Sequence, residues 1–339
     1  MSAILDYTRV ALRVEPFALE PSWIIECVPI PVDWSQRLQT FVDGWKSERT
    51  ATDEYLGDKP FSEFVLTERA SSWDEFLQWA NELKGGWCFR GQSDSEWLLH
   101  TTLDRAVKKG WSAENRSGYY HLDREFEGRE LLFRFQQQAH QYLGNLPAGD
   151  DLGSWFALMQ HYGVPTRLLD WTQSPSVGMY FAIEYEAQKG SLSALWAIDL
   201  DWLERRGREL SKSREAWAED SKLRADYANT LLCDKDEPII IRINPHMADE
   251  RMLAQQGLFL CKLVHRATFN QILMTMMIHP SVPSLPVVRK LDVEKKLRIE
   301  FLRNLREMNI HRGSLFPGLD GFGRSLRIDL EIKVADAPT

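Results

Sequence analysis

Residues Met159 to Ala182 read MQHYGVPTRLLDWTQSPSVGMYFA, and they hold one helix end, a polar connection and the start of a second helix. A helical pattern near Gly153 to Tyr162 is interrupted by Pro165, which has no N–H to continue it. Thr166 to Thr172 therefore reads as a loop. Ser174 followed by Pro175 reads as an N-cap with proline in the first turn. The helix opened there carries Val177, Tyr180, Phe181 and Tyr185 and ends near Gly190.

Upstream, Ser71 or Ser72 caps a helix with Trp73, Phe76, Leu77, Ala80 and Leu83 on one face, and Gly85-Gly86 stops it. A short strand, Trp87 to Arg90, follows and ends in Gly91, and an amphipathic helix is expected over Asp123 to Leu143. Downstream, Ser193 to Ile198, Pro238 to Ile243, Gly257 to Val264 and Pro286 to Val293 read as strands, with helices at 214–231 and 294–308. Strands and helices mix without the regular βαβ alternation of a doubly wound sheet, which predicts the α+β class. Residues 1–60 carry only short β-prone runs, Val10 to Val14 and Trp23 to Val28, punctuated by prolines. The expected organisation is a prefix over 1–65 and one domain over 66–335.

The 44% hydrophobic and 27% charged residues are close to globular averages and predict a sizeable core. A net charge of −8 argues against broad electrostatic binding to nucleic acid or anionic membrane. Arg205, Arg206 and Arg208 stand among Glu204 and Glu209, the pattern of a solvated helix face. Cys27, Cys88, Cys233 and Cys261 have neither metal-ligand nor disulfide-framework spacing, so free thiols in a reducing compartment are expected. Asp6, Arg9 and Arg13 break up the first 25 residues, which do not read as a signal peptide. Ile272 to Ile278 is too short to cross a bilayer. A cytoplasmic protein with no metal is the expectation.

Three distant segments concentrate polar groups among apolar ones. In Phe89-Arg90-Gly91-Gln92 an arginine ends an apolar strand beside a glycine. It either grips phosphate or carboxylate or satisfies buried carbonyls. The second segment packs His161, Tyr162, Thr166, Arg167, Asp170, Thr172 and Ser174 just before a helix N-terminus, a place that suits anions. Thr172 and Ser174 are either ligand contacts or caps, and Asp170 either acts chemically or pairs with Arg167. The third, Arg251 to Phe259 (RMLAQQGLF), sets Gln255 and Gln256 before a glycine-led strand. HExxH, GxSxG, Walker A and GxGxxG are absent from the sequence. A carboxylate cluster for Mg²⁺ is not evident either, which disfavours a nuclease.

These stretches, together with SLFPGLDGFGRSL at Ser314 to Leu326, resemble the signature of the FRG family, and 66–335 is read as its domain. Their order also resembles the arginine–serine–glutamate class of ADP-ribosyltransferases. That resemblance implies a split mixed or antiparallel sheet core with surrounding helices and NAD as substrate. It further implies mono-ADP-ribosyl transfer or NAD glycohydrolysis, in a bacterial toxin or anti-phage effector acting on a protein acceptor. Arg90, with Gly91 and Gln92, would grip the pyrophosphate. His161 and Tyr162 would flank the nicotinamide or adenosine, and Thr166, Arg167, Thr172 and Ser174 would help bind NAD. Gln255 and Gln256 stand where that class has a catalytic glutamate, and glutamine cannot act as a general base near neutral pH. Asp170, Glu184 or Glu250 would then supply the carboxylate. The alternative is a non-catalytic nucleotide-sensing or protein-interaction module.

Overall fold

The computed structural model describes residues 11–13, 24–26, 65–83, 85–109, 124–185, 191–211, 237–245, 250–264, 268–278 and 286–335. The expected helix at 214–231 lies outside them, as do Cys27 and Cys233. Contacts divide the chain into Met1–Leu56 and Gly57–Thr339, a break somewhat before residue 65. In the first unit, strands β1 (Ala11–Arg13) and β2 (Ile24–Glu26) pair antiparallel, inside the two β-prone runs.

The second unit is a mixed α and β fold around one seven-stranded sheet. Its strands are β3 (Leu66–Ala70), β4 (Trp87–Gln92), β5 (Leu168–Thr172), β6 (Leu192–Asp199), β7 (Ile240–Ile243), β8 (Gly257–Lys262) and β9 (Val288–Glu294). Their order is β3-β9-β6-β4-β5-β8-β7. β3 and β9 run parallel, and every other neighbouring pair is antiparallel.

Helix α1 (Trp73–Glu82) begins at Ser72, whose Oγ accepts from the Glu75 N–H at 3.2 Å. It is followed by Gly85 and Gly86, with φ of +71° and +66°, as the glycine pair predicts. Its Phe76 and Trp79 are buried with Phe89 and Leu195 of the sheet and with Met179 and Tyr180 of the helix after β5. That helix, α2, is Pro175–Ile183, and Ser174 caps it by accepting from Val177 N. It stops at Ile183, short of the expected Gly190, and Glu184 turns into a buried ion pair with Arg312.

On the opposite side of β4, Gln92 accepts from Trp196 Nε1 at 2.8 Å and donates to Leu98 O at 3.2 Å. The remaining helices used below are α3 (Thr102–Lys109), α4 (Arg124–Ala139), α5 (Leu152–His161), α6 (Glu250–Ala254), α7 (Arg298–Glu307), α8 (Arg312–Leu315) and α9 (Leu319–Ala335). α4 is the expected amphipathic helix, trimmed at both ends. α7 is the C-terminal part of the one expected at 294–308, because β9 runs on through Glu294.

One expectation is overturned. Leu168 to Thr172 is not loop but an interior strand, paired with β8 along its whole length from Leu168↔Cys261 to Thr172↔Gly257. Leu168, Leu169, Trp171 and Thr172 are all buried, so the alternation that marks a half-exposed strand is missing. Cys88 and Cys261 are buried free thiols, and burial pushes both above the usual thiol range.

Gly91 sits under helix α2, and a Cβ built there would fall 2.1 Å from Gly178 O and 2.3 Å from Ala182 N. Gly91→Ala should therefore cost on the order of 3 kcal/mol, the upper end of overpacking penalties. Gly163→Ala meets no crowding and strains only a φ of +78°, for about 1 kcal/mol. Urea midpoints of the two variants should separate in that order, and equal midpoints would contradict the close approach.

Candidate functional site

β4 and β5 share a single register pair, Phe89↔Thr172, and then part company. Where the ladder lapses, Arg90 Nη1 donates to Asp170 O at 2.6 Å, so a side chain replaces a backbone donor. The same guanidinium lies 3.8 Å from the Asp170 carboxylate. Burial pulls Arg90 below the usual guanidinium range and Arg105 adds to that, while the Asp170 charge opposes it.

The Asp170 side chain is 62% exposed yet held from behind. α5 ends at His161, Gly163 reverses the chain at positive φ, and Thr166 returns beside the helix. There the Thr166 hydroxyl donates to Gln160 Oε1, and Gln160 Nε2 donates to Asp170 Oδ1 at 2.6 Å. Thr166 is itself tied down, its N–H donating to Thr102 Oγ1 at 2.9 Å. A Thr166–Gln160–Asp170 chain thus fixes one carboxylate oxygen and leaves the rest of the group toward solvent.

The third segment closes onto the end of β5. After α6, Gln256 adopts φ +47°, a left-handed turn rare outside glycine and asparagine, and β8 begins at Gly257. Gln173 N donates to Gln256 O at 3.0 Å, and Thr172 Oγ1 donates to Gln255 O at 2.7 Å. Gln255 Nε2 donates to Leu315 O at 2.9 Å, which brings the fourth segment against the third.

Between these pieces lies a cavity of about 250 Å³, whose wall includes Thr102, Gln160, His161, Asp170, Arg251 and Gln255. So His161, Asp170 and Gln255 of the expected residues come together. Tyr162 is exposed and meets the His161 ring edge-on at 5.0 Å. Arg90 buttresses Asp170 instead of presenting a free fork. Several of the expected ligands are spent on the fold. Gly91 is covered by α2, and Gln92 is bound to Trp196 and Leu98. Thr172 accepts from Ser174 N, and Ser174 caps α2. Gln256 contributes its backbone to the turn. Arg167 is buried over the Phe156 ring at 5.0 Å, and Asp170 takes Gln160 and Arg90 as partners in its place. Of the three candidate carboxylates, Glu184 is buried in an ion pair with Arg312, and Glu250 does not line the cavity.

Gln160, Thr102 and Arg251 were given no role by sequence. Arg251 opens the third segment, and a cation ahead of two amides was the available signal. Its guanidinium lies 4.5 Å from the Phe316 ring centroid, and Arg312 lies 4.1 Å from the same centroid. Arg312 also donates to Tyr185 Oη at 3.0 Å, and Tyr180 Oη donates to Glu184 Oε1 at 3.2 Å. Burial and the Glu184 charge raise the Tyr180 phenol far above its usual range. Among the described residues no three His, Cys, Asp or Glu side chains gather to hold a metal ion. No described helix is long and apolar enough to cross a membrane.

A family model for the FRG domain matches residues 85–191. Residues 85–191 are an FRG domain. This FRG stretch holds the Arg90 strand, the Gln160–Asp170 wall and helix α2. The Arg251 and Ser314 segments lie beyond the FRG match in sequence; in space the first completes the cavity and the second backs it. Comparison with curated proteins and with solved structures returns no match.

Because the Arg312–Glu184 pair is buried, removing one partner strands a charge. Glu184→Ala should cost about 3 kcal/mol or more, while Glu184→Leu combined with Arg312→Met should regain most of it. Denaturant titration of the single and double variants checks this, and equal losses would show that the pair is not the coupled unit.

Proposed function

We propose that the chain is an ADP-ribosyltransferase-like enzyme that uses NAD as substrate, by mono-ADP-ribosyl transfer or glycohydrolysis. The observation that supports it is the fixed carboxylate of Asp170 on the wall of a cavity lined by the second and third segments, with Arg90 of the first holding it from behind. Cleaving the bond between ribose and nicotinamide leaves its electron pair on the departing ring and positive charge on the ribose carbon. A carboxylate held in advance near that carbon stabilises the charge without having to reorganise. Asp170 fills this role, with Gln160 and Arg90 setting its position. It also accepts the proton of the incoming water or acceptor hydroxyl. Gln255 spends its amide N–H on Leu315 O and keeps Oε1 to accept from a ribose hydroxyl. His161, stacked edge-on with Tyr162, borders the leaving base.

The net charge of −8 favours a protein over nucleic acid as acceptor. The buried free thiols fit the cytoplasm, where a toxin or anti-phage effector would act. A second reading, a nucleotide-sensing or protein-interaction module without turnover, draws on the cavity's size. About 250 Å³ is below the roughly 300–1,000 Å³ usual for small-molecule sites.

Purified protein incubated with NAD should release nicotinamide, followed by chromatography. Asp170→Asn should lower the rate roughly 10²–10³-fold, the scale of losing one preorganised electrostatic group. Arg90→Ala, confirmed folded by circular dichroism, should also lose rate as Asp170 comes loose. No release, with or without a protein acceptor, favours the sensing module, for which NAD binding measured calorimetrically is then the readout.

A further inference from the structure

Among the described residues Arg251 is the one lysine or arginine on the cavity wall, and it makes no hydrogen bond or ion pair with any of them. What it does have is a platform. Phe316 lies under its guanidinium, and the same ring is fixed by Arg312 at 4.1 Å and by Phe181 edge-on at 6.1 Å. Stacking on a ring engages the π-face of a guanidinium and leaves its in-plane N–H donors to a ligand. Glu184 neutralises Arg312, so nothing within this assembly answers the charge of Arg251. Asp170, the one carboxylate among the described residues of the cavity wall, is held by Gln160 and Arg90 away from Arg251 and keeps acceptor positions open.

The wall thus offers a cation with unspent donors together with two groups that accept from hydroxyls, the Asp170 carboxylate and Gln255 Oε1. That complement suits a sugar bearing a phosphate. We infer that Arg251 is the phosphate anchor of this cavity and that the occupant is a ribose 5-phosphate unit. Its hydroxyls bind Asp170 and Gln255 and its phosphate binds Arg251, with Phe316 and Arg312 as positioning residues. The inference rests on the NAD reading for its largest ligand, and it moves the phosphate contact from Arg90, whose guanidinium is bound to Asp170 O, to Arg251. It also accounts for the cavity's size, because only the nicotinamide mononucleotide half of NAD needs to enter.

Calorimetric titration with nicotinamide mononucleotide and with nicotinamide riboside, which differ by one phosphate, tests the anchor. The wild-type protein should prefer the mononucleotide, and Arg251→Ala should weaken it roughly tenfold or more while leaving the riboside unchanged. Arg251→Lys should restore part of the preference, since it keeps the charge but loses the fork. Phe316→Leu should erode the preference without abolishing it. A mononucleotide-to-riboside ratio that Arg251→Ala leaves unchanged overturns the anchor. If neither nicotinamide compound binds the wild type, ribose 5-phosphate is titrated next. Binding lost in Arg251→Ala would keep the anchor and reject the NAD reading, whereas no binding of ribose 5-phosphate to the wild type would overturn the anchor as well.

Discussion

The carbonyl of Gly178 and the amide of Ala182 occupy the space where a side chain on Gly91 would begin. This contact between a strand and a helix, backbone to backbone, sets the height of α2 over the sheet. A Cβ on Gly178 would in turn press on Phe89 at 3.0 Å and Leu195 at 2.8 Å. With α2 seated so low, its first turn meets the end of β5, where Ser174 and Thr172 knit strand, cap and the Gln255–Gln256 turn together. Its last turn delivers Glu184 to Arg312 and so fixes Phe316. The two ends of one nine-residue helix therefore support two parts of the cavity wall, the Gln255–Gln256 turn and the Phe316 ring beneath Arg251.

Charge is distributed around this helix with a clear division. Pairs that build the fold are closed off from water: Glu184 with Arg312, and Lys262 with Asp104 at 3.3 Å, both partners 3% exposed. Such pairs add little net stability over well-packed apolar groups, but they are intolerant of losing one member. Asp170 and Arg251 are different. Asp170 is held by the Gln160 amide and, more distantly, by Arg90, Arg251 by the Phe316 ring, and both face the cavity. A carboxylate oriented by an amide, and a cation oriented by a ring, keep their charge available to a ligand.

Features set by a few adjacent residues were legible in the sequence. The caps at Ser72 and Ser174, the stop at Gly85-Gly86 and the left-handed need for glycine follow from local backbone chemistry. The strands around Ser193, Ile240 and Gly257 were legible from β-forming composition. Leu168 to Thr172 was not, because a strand buried on both faces shows no alternation and its one charged residue, Asp170, lines a cavity. The convergence of the three polar segments rested on strand order, which no local pattern encodes. The same holds for the fate of Arg90. Whether it is a free fork or a buttress depends on β4 and β5 parting after a single pair. Thr172, Ser174 and Gln92 looked like ligands because a hydroxyl or amide that satisfies the backbone has the same sequence signature as one that awaits a substrate.

The parting of β4 from β5 bears on how the molecule deforms. Elsewhere in the sheet neighbouring strands are stitched by ladders of peptide bonds, but here the four strands β3, β9, β6 and β4 join the three strands β5, β8 and β7 through one backbone pair and one guanidinium. A side chain with several torsions is a softer tie than a ladder. The sheet consequently has its softest joint where β4 meets β5, directly behind the Asp170 wall of the cavity.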